Sequence, residues 1–268
     1  MRDHSGWSLE GRDPEEIRKL MPWWRWFYEH YFHVTSSGWE HLDPDRATLI
    51  VGSHNGGLAA PDMIMFMYDW FKHFGVEKPA YGLVHPYMWK FYRWLADSSV
   101  KTGGIVAHPT MGIKSLEAGY PTLVYPGGAQ DVFRPYWDRH KINFAGRRGF
   151  IKLALRQGVP IVPVISTGAH ETIIVLAEFA DWIRQLQQLT KPPAPFNFDP
   201  QVFPIYLGLP WGIGIGPLLN WPAPNKITLR ICPPITFNRV GRDASRDRAY
   251  VDECYYIVKH AMQKSLIN

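Results

Sequence analysis

Ala47-Thr48-Leu49-Ile50-Val51-Gly52-Ser53-His54-Asn55-Gly56-Gly57-Leu58-Ala59-Ala60-Pro61-Asp62 decides the architecture of this chain. The apolar run from Ala47 to Gly52 has no polar alternation, so it reads as a strand covered on both faces. The glycine pair ends it, and Pro61-Asp62 then opens a helix expected to run from Asp62 to about Phe74. A strand, a glycine-rich turn and a helix make the unit from which layered α/β domains are built.

The unit repeats along the chain. Strands are expected at Ala80–Val84, Gly104–Ala107, Pro121–Tyr125, Pro160–Ile165 and Ile227–Ile231. Helices are expected at Met88–Ala96, from after Ala107 to Ala118, at Phe150–Gln157 (ended by Gly158), at Leu176–Leu189 and at Arg246–Leu266. This alternation predicts an α/β fold: a single layered domain with a mainly parallel or mixed central sheet flanked by helices.

The N-terminal part differs in character. Residues 1–13 read as loose and polar. A helix then starts with Asp13 as N-cap and Pro14 in its first turn, and Pro22 is expected to kink or restart it. Seven aromatics crowd Trp23 to Phe32, among Arg25, Glu29 and His30. Two readings stay open for this stretch, a helix lying in a membrane interface or one packed on the domain. The expected division is therefore an aromatic-rich helical segment at 1–33, for which the membrane-interfacial reading stays open, followed by the main domain at 34–268. Residues 191–225 break the pattern with Lys-Pro-Pro-Ala-Pro and a Gly/Pro-rich apolar run to Trp221. So apolar a segment either packs beneath a loop or faces lipid.

Apolar residues make up 46% of the 268, which is ample for a core, and charged residues 20%, which excludes a disordered chain. The net charge of +5 suits anionic lipid, phosphorylated substrates or nucleic acid alike. Nucleic acid is disfavoured because the aromatics are not interleaved with a basic stripe. The two cysteines, Cys232 and Cys254, have no metal spacing and suggest a reducing compartment. No apolar signal segment opens the chain, and no stretch reaches the roughly 20 apolar residues of a spanning helix. The expected location is cytoplasmic, peripheral on the inner face of a membrane.

Chemistry concentrates in two turns. His54 follows a buried strand, where ligands bind in open α/β sheets. Asp62, eight residues on, can orient the imidazole and stabilise its protonated form. A hydrogen-bonded structural histidine and an N-capping aspartate are the bland alternatives. Tyr125-Pro126-Gly127-Gly128-Ala129-Gln130-Asp131 also follows a strand, and its backbone N–H groups can approach an anion or a developing oxyanion. A plain strand-to-helix turn explains it equally well. His170 and Glu171 read as surface or helix-start residues, with a place at a pocket rim left open. There is no Gly-x-Ser-x-Gly elbow, no P-loop and no zinc-ligand cluster, so no metal or resident cofactor is expected.

Four ordered blocks carry a resemblance: VGSHNGGLAAPD (51–62), TGGIVAH (102–108), AGYPTLVYPGGAQD (118–131) and INFAGRRGFIKLALRQGVPIVPV (142–164). Together they resemble the lysophospholipid/glycerol acyltransferase superfamily, and most of all its neutral-lipid, diacylglycerol-acyltransferase-like branch. The match spans about Leu49 to Val164 and continues more weakly to Ile235. The resemblance implies a glycerol-3-phosphate-acyltransferase-like fold and transfer of a fatty acyl group from acyl-CoA or acyl-carrier protein to a lipid hydroxyl. His54 is then the general base and Asp62 its orienting carboxylate. Asn55, Gly127, Gly128, Ala129, Asp131 and Arg134 are expected at the substrates. The implied partners are a membrane surface, the thioester co-substrate and a lipid acceptor. A non-catalytic lipid-binding protein and a lipid esterase are the alternatives on the same scaffold.

The departures are specific. Seven residues separate His54 from Asp62 where the superfamily has four. His108 stands where the second block usually ends in Arg. Gly127 and Gln130 replace the Glu and Arg of the usual Pro-Glu-Gly-Thr-Arg, which contact an acceptor phosphate. This weakens the expectation of a phosphate-bearing acceptor, although Arg134, Arg147 or Arg148 can still supply such a contact.

Overall fold

The computed structural model describes residues 5–190 and 201–267. Its elements begin with α1 (Pro14–Trp26), β1 (Thr35–Ser37), β2 (Leu49–Gly52), α2 (Pro61–Phe74), β3 (Tyr81–Val84), α3 (Tyr87–Phe91) and α4 (Arg93–Lys101). Then come β4 (Gly104–Val106), α5 (Pro109–Glu117), β5 (Thr122–Val124), α6 (Gly128–Val132), α7 (Gly149–Gln157) and β6 (Ile161–Thr167). The last are β7 (Ile174–Glu178), α8 (Ala180–Thr190), β8 (Pro204–Gly208), β9 (Gly212–Ile215), β10 (Thr228–Ile231), α9 (Arg242–Arg246) and α10 (Arg248–Ile267).

The fold is mixed α/β. A seven-stranded sheet runs in the order β1-β10-β6-β2-β5-β3-β4. The five strands from β6 to β4 are mutually parallel, whereas β10 is antiparallel to β6 and carries β1 parallel on its far side. The strand predicted first lies in the middle. Leu49 and Val51 of β2 pack with α5, α7 and α10 on one face, while Ile50 packs with α1 and α2 on the other. Val162 and Val164 of β6 alternate with Ile161 and Ile165 in the same way. Both faces of the sheet are covered, which is why its strands read as unbroken apolar runs.

The N-terminal segment departs from expectation twice. Residues 5–13 are strapped along the β4 edge rather than loose. Val106 N–H donates to Gly6 O at 2.9 Å, Asp13 N–H to Lys101 O at 2.8 Å and the Tyr81 hydroxyl to Leu9 O at 2.9 Å. The strap covers an edge strand that would otherwise offer unpaired backbone groups. Helix α1 starts as predicted, with the Asp13 side chain accepting the Glu15 N–H at 3.1 Å. Pro22, however, does not break it. The helix passes through Pro22 to Trp26 and continues as a π-helical turn over Phe27–Tyr31. A buried Ile17 and the stacking of Trp24 on Phe71 (6.3 Å, 9°) hold the axis against the cost of an interior proline. The π turn brings Tyr28 inward, where its hydroxyl donates to the buried Asp69 at 2.9 Å.

Two further expectations are corrected. The helix expected over Met88–Ala96 is split into α3 and α4 at Tyr92, whose backbone is non-helical (φ −134, ψ 54). The helix expected over Leu176–Leu189 begins only at Ala180. Residues 174–178 form β7 instead, because Ile174, Val175 and Leu176 alternate out, in, out with strand period.

Strand β7 opens a second, antiparallel sheet, β7-β8-β9, that sequence reasoning missed. Its inner row is Val175, Tyr206 and Gly214; its outer row is Ile174, Leu207 and Ile213. Gly214 has no side chain because the Tyr206 ring lies against its Cα. Residues 201–225 thus supply two strands and an apolar loop, while 191–200 fall outside the described residues.

Candidate functional site

The site forms where the C-terminal ends of β2, β5 and β6 meet, in the middle of the large sheet. Strand β2 delivers Ser53 and His54. Strand β5 delivers Tyr125 and the Pro126–Ala129 turn. Strand β6 leads to Ala169, whose carbonyl borders Gly56.

The seven-residue gap between His54 and Asp62 is taken up locally. Gly56 and Gly57 have φ of 85° and 70°, residues 57–59 make one 3₁₀ turn, and Ala60 is left-handed at φ 45°. These residues fold the chain back, so that α2 begins beneath the imidazole. A Cβ at Gly56 would lie 2.5 Å from Pro61 Cδ, so only glycine fits this reversal. Asn220 clamps the loop from outside, accepting the Ala59 N–H at 3.3 Å and donating to Gly56 O at 3.2 Å.

The reversal brings Asp62 Oδ2 to 3.3 Å from His54 Nδ1. The same oxygen accepts the Asn55 N–H at 3.0 Å. Asp62 is 1% exposed, and its other oxygen has no partner among the described residues. The imidazole and the Asn55 amide are thus the two partners of this buried carboxylate among the described residues. With its proton on Nδ1, His54 donates to Asp62 and leaves Nε2 free to accept. The His54 side chain is 17% exposed and stacks on Tyr125 with ring centroids 4.4 Å apart. Burial, with Asp62 nearby, pushes the Tyr125 phenol well above its ordinary pKa, so it stays neutral.

Asp131 and Arg134 are turned inward. Asp131 is fully buried and accepts the His54 backbone N–H at 2.6 Å. Arg134, 4% exposed, donates to Asp131 Oδ1 at 2.9 Å, to His54 O at 2.9 Å and to the Asn55 side-chain oxygen. It also reaches the carbonyls of Asp131, Asp138 and Arg139. This pair grips the backbone on both sides of the His54 peptide. Burial raises the Asp131 carboxyl to about 6 despite the Arg134 cation beside it. Asn55 is buried too, its amide donating to the carbonyls of Ser53 and Ser166. Asp131, Arg134 and Asn55 therefore occupy the wall behind His54 rather than open space in front of it.

The third block's departure at Gly127 has a steric cause. A side chain at 127 would collide with Asn143 O and with Asp131 Cβ. Asp131 fills that space, so the turn carries its carboxylate four residues after the usual position. Gly128 N–H donates to Tyr125 O at 3.2 Å and opens the short helix α6. His108 caps α5, its Nδ1 accepting the Thr110 N–H at 3.3 Å.

His170 departs from its expected surface place: it is 2% exposed. Burial first, and then the Arg134 cation, hold its pKa down to about 3. Nothing in a lone His-Glu dipeptide signals such burial. The contribution of Asn220 was equally invisible, since it comes from a distant loop. Glu171 pairs with Arg139 at 3.4 Å.

The chain is thus a mixed α/β protein with a histidine–aspartate pair at the end of the middle strand of its central sheet. The same fold occurs in the crystal structure of the 1-acyl-sn-glycerophosphate acyltransferase of Thermotoga maritima, with a TM-score of 0.53 and 15% identity over 94% of this chain and 78% of that one. The sequence profile described as diacylglycerol acyltransferase matches residues 11–208, and the chain belongs to that family. An uncharacterized protein of Mycobacterium tuberculosis (strain H37Rv) is 28% identical over 96% of this chain and 67% of its own length. Diacylglycerol O-acyltransferase 2 of Danio rerio is 26% identical over 87% of this chain and 65% of its own length. The chain spans about two thirds of the length of these curated relatives.

Proposed function

We propose that this protein is an acyltransferase that moves a fatty acyl group from a thioester, acyl-CoA or acyl-carrier protein, to a hydroxyl of a glycerolipid or other lipid alcohol. One observation carries the reading: a partly exposed imidazole whose Nδ1 faces a buried carboxylate at 3.3 Å, at a sheet's central strand end. His54 Nε2 takes the proton of the acceptor hydroxyl. The oxygen attacks the thioester carbonyl, the carbon–sulfur bond breaks, and the imidazolium returns the proton to the departing thiolate. The products are an ester and a free thiol. Asp62 holds the tautomer and stabilises the imidazolium. Because the Gly128 amide is engaged by Tyr125, the oxyanion falls to the amides of Gly127 and Ala129. Asp131 and Arg134 position His54 through its backbone. A radiolabelled transfer assay with a panel of lipid alcohols tests the reading. Product ester that requires acceptor supports it, and free fatty acid released equally well without acceptor identifies an esterase.

A membrane supplies the lipid. No helix among the described residues is long and apolar enough to cross one. Trp23 (69% exposed) and Trp26 (49%) project from α1. Phe27 contacts Trp221 at 6.0 Å, and the Trp221 indole donates to the Tyr31 hydroxyl at 3.1 Å, which links α1 to the loop after β9. That loop adjoins the exposed outer row Ile174, Leu207 and Ile213. This continuous apolar face supports docking on the bilayer beside the site. Replacing Trp23, Trp26 and Ile213 by Ser is expected to abolish co-sedimentation with liposomes while the fold persists. Unchanged binding would remove this face from the account. Trp24 is left intact because it stacks on the core.

A further inference from the structure

No step of the transfer above uses Tyr125, yet its ring has a fixed seat beside the base. Tyr125 is the first residue after β5, the strand that pairs with β2. The Cδ1–Cε1 side of its ring lies against Gly52, the last residue of β2. A Cβ at Gly52 would stand 2.2 Å from Tyr125 Cε1 and 2.7 Å from Cδ1, so glycine is what leaves room for the ring. The turn that follows is held by Arg147, whose Nη1 donates to Pro126 O at 2.9 Å and to Gly127 O at 2.6 Å. The chain is thus fixed on both sides of Tyr125, by β5 before it and by this turn after it.

The seat presents the ring to the imidazole as a stack, with centroids 4.4 Å apart and planes inclined at 28°. His54 is therefore held from two directions. Asp62 Oδ2 takes its Nδ1 edge at 3.3 Å, and Tyr125 takes a face. The titratable groups that face His54 are Asp62 on α2, Tyr125 after β5, and Asp131 and Arg134 in and after α6; the last two act on its backbone. Burial, with Asp62 nearby, keeps the Tyr125 phenol neutral, so the ring offers the same π face as pH changes. The transfer turns His54 into an imidazolium. A cation within about 6 Å of a ring centroid is attracted to the negative face of the ring, more strongly where water is excluded. The neutral imidazole gains less from the same contact. Stacking on Tyr125 thus favours the protonated form.

We propose that Tyr125 is a positioning residue whose aromatic face holds the His54 imidazole in its reactive rotamer and strengthens it as a base. The inference rests on the acyltransferase reading of His54. The ring carries the effect, and the hydroxyl has no part in it.

The test replaces Tyr125 in the full chain by Phe, by Leu, and by phenylalanines of increasing fluorination. Fluorine keeps the shape of the ring while draining negative potential from its face, so a folded series exists even if Leu does not fold. Two quantities are read: the His54 pKa by NMR titration of its ring, and the pH profiles of kcat and KM for transfer from a thioester to a lipid alcohol. Tyr125→Phe is expected to stay within about threefold of wild type. Tyr125→Leu is expected to lower the His54 pKa by about one unit and kcat by about tenfold, with KM for the acceptor nearly unchanged. The acidic limb of the kcat profile moves down in pH with it, because a weaker base loses its proton at lower pH. The fluorinated rings are expected to move the pKa stepwise from Phe toward Leu. Gly52→Ala, which pushes the ring off its seat, is expected to lower the same pKa.

A His54 pKa that stays within about 0.2 units across the fluorinated series overturns the proposal. So does a Phe variant that falls as far as Leu, because the hydroxyl would then carry the effect. A folded Leu variant with the wild-type kcat overturns it as well. The NMR titration needs no turnover, which separates this inference from the reading beneath it. If transfer is absent but the pKa follows the series, the stack stands and the acyltransferase reading falls.

Discussion

Replacing Arg134 by Met isolates the device that positions His54. The substitution keeps much of the apolar stem and removes a guanidinium that donates to Asp131 Oδ1, to the Asn55 side-chain oxygen and to four carbonyls, those of His54, Asp131, Asp138 and Arg139. Asp131, fully buried, is left with the His54 N–H as its main partner. Breaking a buried ion pair from one side costs about 3–5 kcal/mol, because a desolvated charge loses its compensation. Asp131→Asn leaves the Arg134 cation with its four carbonyl acceptors and Asn55 Oδ1, so it costs less, about 1–3 kcal/mol. The double variant no longer holds an orphaned carboxylate, so its loss should fall short of the sum by about 1–3 kcal/mol. Urea unfolding of the four proteins gives the cycle. In the acyl-transfer assay, Arg134→Met should lower kcat with little change in KM for the acceptor, since it acts through the His54 backbone and touches no substrate. A stability within about 0.5 kcal/mol of wild type, or strict additivity, would refute the brace. A pure KM effect would return Arg134 to the acceptor site.

The buried titratable pair near the site predicts opposing pH effects. The folded-state pKa of Asp131, about 6, lies above its ordinary value of 3.8. The folded protein therefore takes this proton first, and the term is lost again as pH rises from about 4 through 6, on the order of 3 kcal/mol. His170, held at about 3 instead of 6.5, works the other way: the unfolded chain is protonated first, so stability drains as pH falls from 6.5 toward 3. Thermal melts between pH 3.5 and 7 should show His170→Gln resisting acid better than wild type and Asp131→Asn resisting it less; three superimposable profiles would contradict both assignments. Gly127→Ala should cost about 1–3 kcal/mol and impair transfer, because its methyl meets Asn143 O and Asp131 Cβ. Gly149→Ala, with open space around its Cβ, serves as the control and should stay within about 0.5 kcal/mol in chemical denaturation.

The central sheet was legible because buried parallel strands must be apolar on both faces, and the runs at Ala47–Gly52 and Pro160–Ile165 show that. His54 was legible for the same reason: a polar residue ending such a run lies at a strand's carboxyl end. What failed to show was whatever depends on distant partners. Leu176 belongs to a strand only because residues 204–208 pair with that segment. Pro22 sits inside a helix only because Ile17 and Trp24 pack on α2. The inward turn of the Asp131 and Arg134 side chains did not show either. A motif places residues near one another along the chain, but whether a carboxylate faces substrate or the protein interior depends on Arg134 and Asn55 closing over it. The long His54–Asp62 spacing looked like a weakness and is a compact reversal built on Gly56, Gly57 and Ala60.

The most direct test of the account is the rate of acyl transfer from a thioester to a lipid alcohol by His54→Ala, measured beside wild type with its melting temperature checked. The account predicts a folded protein whose transfer rate falls by about 10²–10⁴, the loss of a general base. A folded His54→Ala protein that transfers at the wild-type rate would contradict it.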